Sequence, residues 1–297
     1  MTDSYAHLGA DAKAVMDKPD GMRILSIQQG SWISYPRAKE ILSRLDRLLN
    51  YPRTTRMANM LIVGPSNNGK SSIIKHFAGE HLPNPNPDGD AAIAPVILVE
   101  APPTPDVSDF YGRILDELFA PYKPNSKAAD RYHQIKVLFD SLQVKILIVD
   151  EIHHLIAGSL AKQRDFRNAI KSLGNETGVS IVAAGIEEAF NAFNTDPQLS
   201  NRFTPEVLPK WKLDNTYGSM LMTLEKRLPL KVPSNLVEPN LAQKILWLSE
   251  GTLGDISDLV KLAAEHAIIS GVEQVSEKLI DALPWVPPSK RKQRPSL

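Results

Sequence analysis

Cysteine is missing from the 297-residue chain. That excludes disulfides, thiolate zinc sites and cysteine nucleophiles together, and it fits a reducing cytoplasm as the expected location. Net charge is missing too, since 34 Lys and Arg residues balance 34 Asp and Glu. A neutral total argues neither for nor against nucleic acid, because only a local basic face could bind it. No apolar run approaches the roughly 18–20 residues that span a membrane. Residues 1–20 are polar and acidic and lack the apolar stretch of a signal peptide. The expectation is a soluble protein with no membrane partner. Hydrophobic content of 42% and charged content of 23% are ordinary for a globular chain. The length leaves room for one large α/β domain and a smaller one.

No internal repeat is visible. Residues 1–35 read as an extended arm with short apolar patches. Over 38–49 the apolar positions Ile41, Leu42, Leu45, Leu48 and Leu49 recur at helical spacing, with arginines between them, and Pro52 stops the helix. Residues 60–63, 94–100, 145–150 and 180–184 read as buried strands, and helical patterns cover 71–77, 108–120, 127–142 and 160–173. Strands alternating with helices imply an α/β fold whose parallel sheet is covered on both faces. Beyond residue 209 the strand signal fades into several helices, and 284–297 is proline-rich and basic, the composition of a disordered tail.

The sharpest feature is Gly64-Pro65-Ser66-Asn67-Asn68-Gly69-Lys70-Ser71, a full match to G-x-x-x-x-G-K-[ST] placed after an apolar strand and opening a helix. Its glycines let the backbone wrap phosphates with N–H groups inward, and the helix N-terminus adds partial positive charge. These eight residues and Ser72 are the expected nucleotide-binding set, with ATP as the ligand. Lys70 would reach the β- and γ-phosphates, and the Ser71 hydroxyl would ligate Mg²⁺. The second half of the site is Ile146-Leu147-Ile148-Val149-Asp150-Glu151. It puts two carboxylates at the carboxyl end of a buried strand, where parallel sheets bind ligands. Asp150 would share the metal with Ser71, and Glu151 would polarise the attacking water. His153 and His154 follow. Adjacent histidines do not share a helix face, so they read as packing or capping residues rather than a metal pair.

The Asp-Glu strand end points to the AAA+ branch of P-loop ATPases. With SWISYPRAKEILSRLDRLL before the P-loop, GIEEAFNAFNTDPQLSNRF after the last predicted strand and LPKWKLDN beyond it, the chain resembles the TniB family of transposition regulators, relatives of TnsC. The resemblance runs from about residue 23 to 283. It implies an AAA+ core over 36–215, a helical lid over 216–283, an arm before them and the basic tail after. It also implies an ATPase that assembles as a ring or filament on duplex DNA and links a target-selection protein of the TniQ or TnsD type to a DDE transposase. Carried onto this chain, Arg202 in Ser200-Asn201-Arg202-Phe203 would be an arginine finger reaching a neighbouring subunit's γ-phosphate. Two positions depart from the AAA+ pattern. Ile186 stands where a polar sensor side chain is usual, and the lid helix near Gly254-Asp255-Ile256 lacks the expected arginine, Lys261 being its nearest cation in sequence. Both imply slow or assembly-dependent hydrolysis.

Non-specific DNA binding needs a basic strip facing phosphates, for which Arg113, Lys123, Lys127 and Arg131 are the candidates, with the tail cations 290–294 beside them. Three other readings remain open from sequence: a protein-remodelling ATPase of the secretion type, a replication initiator or helicase loader, and a nucleotide switch that hardly turns over.

Overall fold

The computed structural model describes residues 5–30, 32–54, 56–89, 91–156, 159–194 and 197–291. In chain order the elements are α1 (Ala10–Lys13), α2 (Asp20–Gln28), α3 (Pro36–Leu49), β1 (Asn59–Val63), α4 (Lys70–Glu80), β2 (Val96–Glu100), α5 (Val107–Glu117), α6 (Ala128–Ser141) and β3 (Ile146–Asp150). A 3₁₀ turn (Ile152–Ile156) precedes α7 (Leu160–Thr177), β4 (Ser180–Gly185), α8 (Glu187–Asn194), α9 (Pro197–Ser200) and β5 (Phe203–Val207). The chain closes with α10 (Asn215–Glu225), α11 (Pro239–Leu248), α12 (Leu253–Ile269), α13 (Glu277–Asp281) and α14 (Pro288–Arg291). These form two units. An α/β unit comprises Arg37–Ser66 and Lys70–Leu208, and a helical unit comprises Met1–Pro36, Asn67–Gly69 and Pro209–Leu297.

In the α/β unit five strands pair in the order β2-β3-β4-β1-β5, every pair parallel. Every residue of β1, β3 and β4 is buried, as the uniform apolar runs require of strands covered on both faces. On one face Leu61, Val63, Leu147, Val149, Ile181 and Ala183 join a core with Phe110, Ile114, Phe139 and Phe166. Each fully buried Leu, Ile, Val or Phe among them stabilises the unit by about 1.5–3 kcal/mol.

The sequence does not announce β5. It is an edge strand carrying Pro205, tolerated there because one side of an edge needs no ladder donors. The α3 arginines explain part of its hold. Arg37 donates to the buried Glu206 carboxylate at 2.9 Å, and Arg44 pairs with the other Glu206 oxygen.

In the helical unit the expected extended arm is instead helical, because its apolar residues find partners there. α2 packs on α12, burying Ile27 and Arg23. Arg23 uses all five of its N–H groups: two reach the Glu273 carboxylate (2.9 and 2.5 Å), two the Pro229 carbonyl and one Asp20. The expected disordered tail is ordered as far as Arg291. Trp285 Nε1 donates to the Leu248 carbonyl at 2.9 Å, and Arg291 lies over the Trp285 ring and pairs with Asp255 at 2.7 Å. The remaining tail residues, 292–297, with cations Lys292 and Arg294, lie outside the described residues.

Burial works most strongly against the charge of Glu273, but the hydrogen bonds and charges of Arg23 and Lys231 together outweigh it and hold the carboxyl at about 2. A depressed carboxyl contributes stability above its unfolded value of 4.5 and loses it as pH falls toward 2. Thermal unfolding should therefore shift to lower temperature across that acid window, and Glu273→Gln should flatten the dependence. Arg23→Ala, which leaves the buried Glu273 carboxylate with Lys231 as its remaining partner, is expected to cost up to about 3–5 kcal/mol. An Arg23→Ala protein melting with the unmodified chain would contradict this.

Candidate functional site

β1 and β3 are separated in the sheet by β4 alone, and parallel register puts their carboxyl ends on one edge. Val63 lies opposite Gly185, and Val149 opposite Ala183. The glycine-rich loop leaves β1 there, and Asp150 ends β3 there. Two predicted segments from distant parts of the sequence thus share one sheet edge.

The loop's shape follows from its residues. Asn67 (φ 57°) and Gly69 (φ 88°) take left-handed conformations that turn the backbone back on itself. A Cβ at Gly64 would lie 2.6 Å from the Leu208 carbonyl oxygen, so only glycine lets the strand exit so close to the segment after β5. Lys70 opens α4, is only 5% exposed, and donates from Nζ to the loop's own Gly64 and Pro65 carbonyls at 2.9 and 2.8 Å. Burial lowers its pKa, while the negative charges of Glu151 and Asp150 act in the opposite sense. The ammonium therefore feels both carboxylates. Ser71 and Ser72 follow in the first turn of α4, Ser71 half-buried and Ser72 exposed. Pro65 and Ser66 precede the turn, half-buried and exposed respectively.

Within the helical unit Asn67 accepts at its carbonyl from the Gly254 amide at 2.8 Å and donates from its side chain to Asp255. Asn68 bridges the Leu253 amide and the Pro209 carbonyl. The two loop asparagines thus spend their side chains on structure. The cation at the start of α12 is Arg291, through its pair with Asp255, a contact no local motif announces.

Asp150 is 8% exposed and accepts the Glu151 amide at 2.9 Å. Glu151 adopts φ 54°, a left-handed conformation that costs a non-glycine residue about 1–2 kcal/mol. Such strain concentrates at functional positions. His153 Nδ1 lies 3.0 Å from a Glu151 carboxylate oxygen. The sequence reading, which treated His153 as packing, missed this approach. Its only signal was position, two residues past the acid pair.

Arg202 immediately precedes β5, and Phe203 pairs with Asn59 at the start of β1. The P-loop leaves the other end of β1, five residues on, so Arg202 stands at least about 13 Å away along the strand. Its Nη1 donates to Asn175 Oδ1 at 2.6 Å. Within one chain, Arg202 does not join the loop.

The four basic candidates separate. Arg131 is only 7% exposed. Its guanidinium donates to the Ser108 and Pro124 carbonyls and the Ser126 hydroxyl, and lies over the Tyr122 ring at 4.4 Å. Its expected place on a phosphate-facing strip is corrected on that ground, since its donors are enclosed by α5 and the segment before α6. Arg113 is half-buried, 3.5 Å from Asp109 on the same helix. Lys123 and Lys127 are exposed.

Gly64→Ala forces a methyl against a backbone oxygen, and overpacking of that kind costs about 1–3 kcal/mol. A lowered unfolding temperature is expected by calorimetry, whereas an unchanged one would mean the strand exit has slack.

Residues 23–213 match the family described as Bacterial TniB protein. Among solved structures the chain is similar to the ORC2 protein of Aeropyrum pernix in its ADPNP-ADP complexes, with a TM-score of 0.60 at 17% identity over 86% of this chain and 69% of that one. It is also similar to the A. pernix ORC1 protein in complex with DNA (TM-score 0.56, 15% identity, 86% and 67% coverage) and to Drosophila ORC bound to DNA (0.58, 12%, 89% and 65%). At these identities the likeness shows the fold alone, which is that of an AAA+ P-loop ATPase. No curated protein sequence matches the chain. No helix among the described residues is long and apolar enough to cross a membrane. With the family matched across more than half its length, the chain belongs to the TniB family.

Proposed function

We propose that this protein is an ATP-dependent regulator of DNA transposition, assembling on duplex DNA and coupling a target-selection protein of the TniQ or TnsD type to a DDE transposase. The observation that carries the nucleotide half is the buried Lys70 ammonium. It is held by loop carbonyls, and the negative charges of Glu151 and Asp150 at the end of β3 act on it against the effect of its burial. A cation so desolvated, directly after a loop in which Asn67 and Gly69 take left-handed conformations, suits the phosphates of ATP. The donor set also suits magnesium, with the buried Asp150 carboxylate and the Ser71 hydroxyl as its ligands. Mg²⁺ bound there would neutralise charge on the β- and γ-phosphates. Lys70 would exchange its loop carbonyls for phosphate oxygens. Glu151 would take the proton of the attacking water as its oxygen bonds to the γ-phosphorus and the ADP oxygen leaves.

Arg202 stands at the opposite end of β1 from its own loop, which supports its supply to a neighbouring subunit and would make hydrolysis a property of the oligomer. Membership of the TniB family supports the transposition reading over a DNA-independent remodelling role. The two ORC neighbours described with DNA are consistent with duplex binding.

Lys70→Ala is expected to abolish binding of a fluorescent ATP analogue. Glu151→Gln should keep that binding and lower turnover about 10²-fold or more. Arg202→Ala should lose DNA-stimulated turnover about 10³-fold, recovered in part when mixed with Glu151→Gln protein, because each then supplies what the other lacks. Unimpaired turnover in Arg202→Ala would refute the shared site. For DNA, ATP-dependent retention should fall steeply with salt. Lys123→Ala with Lys127→Ala should reduce the slope of log affinity against log salt by about two. An unchanged slope would move the DNA face elsewhere.

A further inference from the structure

Glu151 occupies a strained backbone conformation directly after a buried strand, so its side chain needs something to define where the carboxylate points. The only group placed to do so in the described contacts of that carboxylate is His153, whose Nδ1 lies 3.0 Å from Oε2. That nitrogen is shielded from water and has no aligned hydrogen-bond partner. The two groups are close enough for a hydrogen bond but not aligned for one, and catalytic hydrogen bonds of that geometry tighten once reactants bind.

His153 is itself held on several sides. Its ring packs on His154 with centroids 4.7 Å apart, and His154 Nδ1 lies 3.4 Å from the Ala101 carbonyl beyond β2. The 3₁₀ turn carrying both histidines lies against the end of β4. A Cβ on Gly185 would meet Ile152 Cγ2 at 2.8 Å and the His153 amide nitrogen at 3.5 Å. The end of β4 offers no polar side chain of its own, since Gly185 is followed by Ile186. The turn takes up the space that a side chain at 185 would fill.

We propose that His153 is the positioning residue for Glu151. Its Nδ1–H captures one carboxylate oxygen and turns the other toward the attacking water. A carboxylate has no proton to offer, so the imidazole nitrogen facing it must be the donor. Burial lowers the imidazole pKa most, aided by the charges of Lys70 and the neighbouring His154, while Glu151 and Glu188 on α8 act against it. A neutral ring can hold Glu151 without adding a charge beside the phosphates.

This inference rests on Glu151 acting on water, and the test separates the two. Turnover and ATP-analogue affinity are measured on full-length His153→Ala, His153→Asn and Glu151→Gln proteins, with DNA present. The Asn side chain places an amide nitrogen near the site of Nδ1. His153→Ala is expected to lower kcat about tenfold or more with nucleotide affinity within about twofold, since misdirecting a catalytic group acts on the chemical step. His153→Asn is expected to restore most of the rate. Loss of turnover in Glu151→Gln with an unaltered rate in His153→Ala would overturn the inference alone, as would a loss that Asn fails to restore. Full turnover in Glu151→Gln would overturn the role of Glu151 and the inference with it.

Discussion

An ammonium taken out of water must find acceptors, and in this fold Lys70 finds them in the backbone of the loop that precedes it. That arrangement depends on the sheet. β1 and β3 must end on the same edge with β4 between them, so that the loop after one strand meets the carboxylates after the other. Gly64 belongs to that convergence, since a side chain there would meet the Leu208 carbonyl where β1 leaves the sheet. An Asp150 displaced along its strand by one residue would point to the opposite face of the sheet.

The helical unit is organised around different interactions. Arg23 and Glu273 form a fully satisfied buried pair that anchors α2 against α12 and the turn after it. At the start of α12, Asp255 collects Thr252, Asn67 and Arg291. The P-loop asparagines are thus integral to the hydrogen bonding at that helix N-terminus.

What could be read in the sequence was whatever local chemistry dictates. The loop announces itself because its backbone demands glycine and its charge demands lysine. β1, β3 and β4 announce themselves because strands buried on both faces must be apolar throughout. β5 did not, since an edge strand may carry Pro205 and Glu206. The arm and tail were misread for a related reason. α1 and α14 are four-residue helices, and α2 is stabilised by a glutamate far along the chain, so neither propensity nor periodicity could reveal them. Arg131 shows the converse error. A charge in a polar segment reads as solvated, yet its five-donor fork can be satisfied inside the fold by carbonyls that sequence does not place. His153 required the distance to Glu151, which no spacing rule supplies.

The central claim is that the sheet edge holds a nucleotide through the loop and a metal through Asp150. Calorimetric titration of the full-length protein with ATP, with and without magnesium, tests it most directly. Saturable binding approaching one nucleotide per chain, weakened when magnesium is withheld, is the expected result. Absence of binding at millimolar ATP with magnesium present would contradict the account at its root.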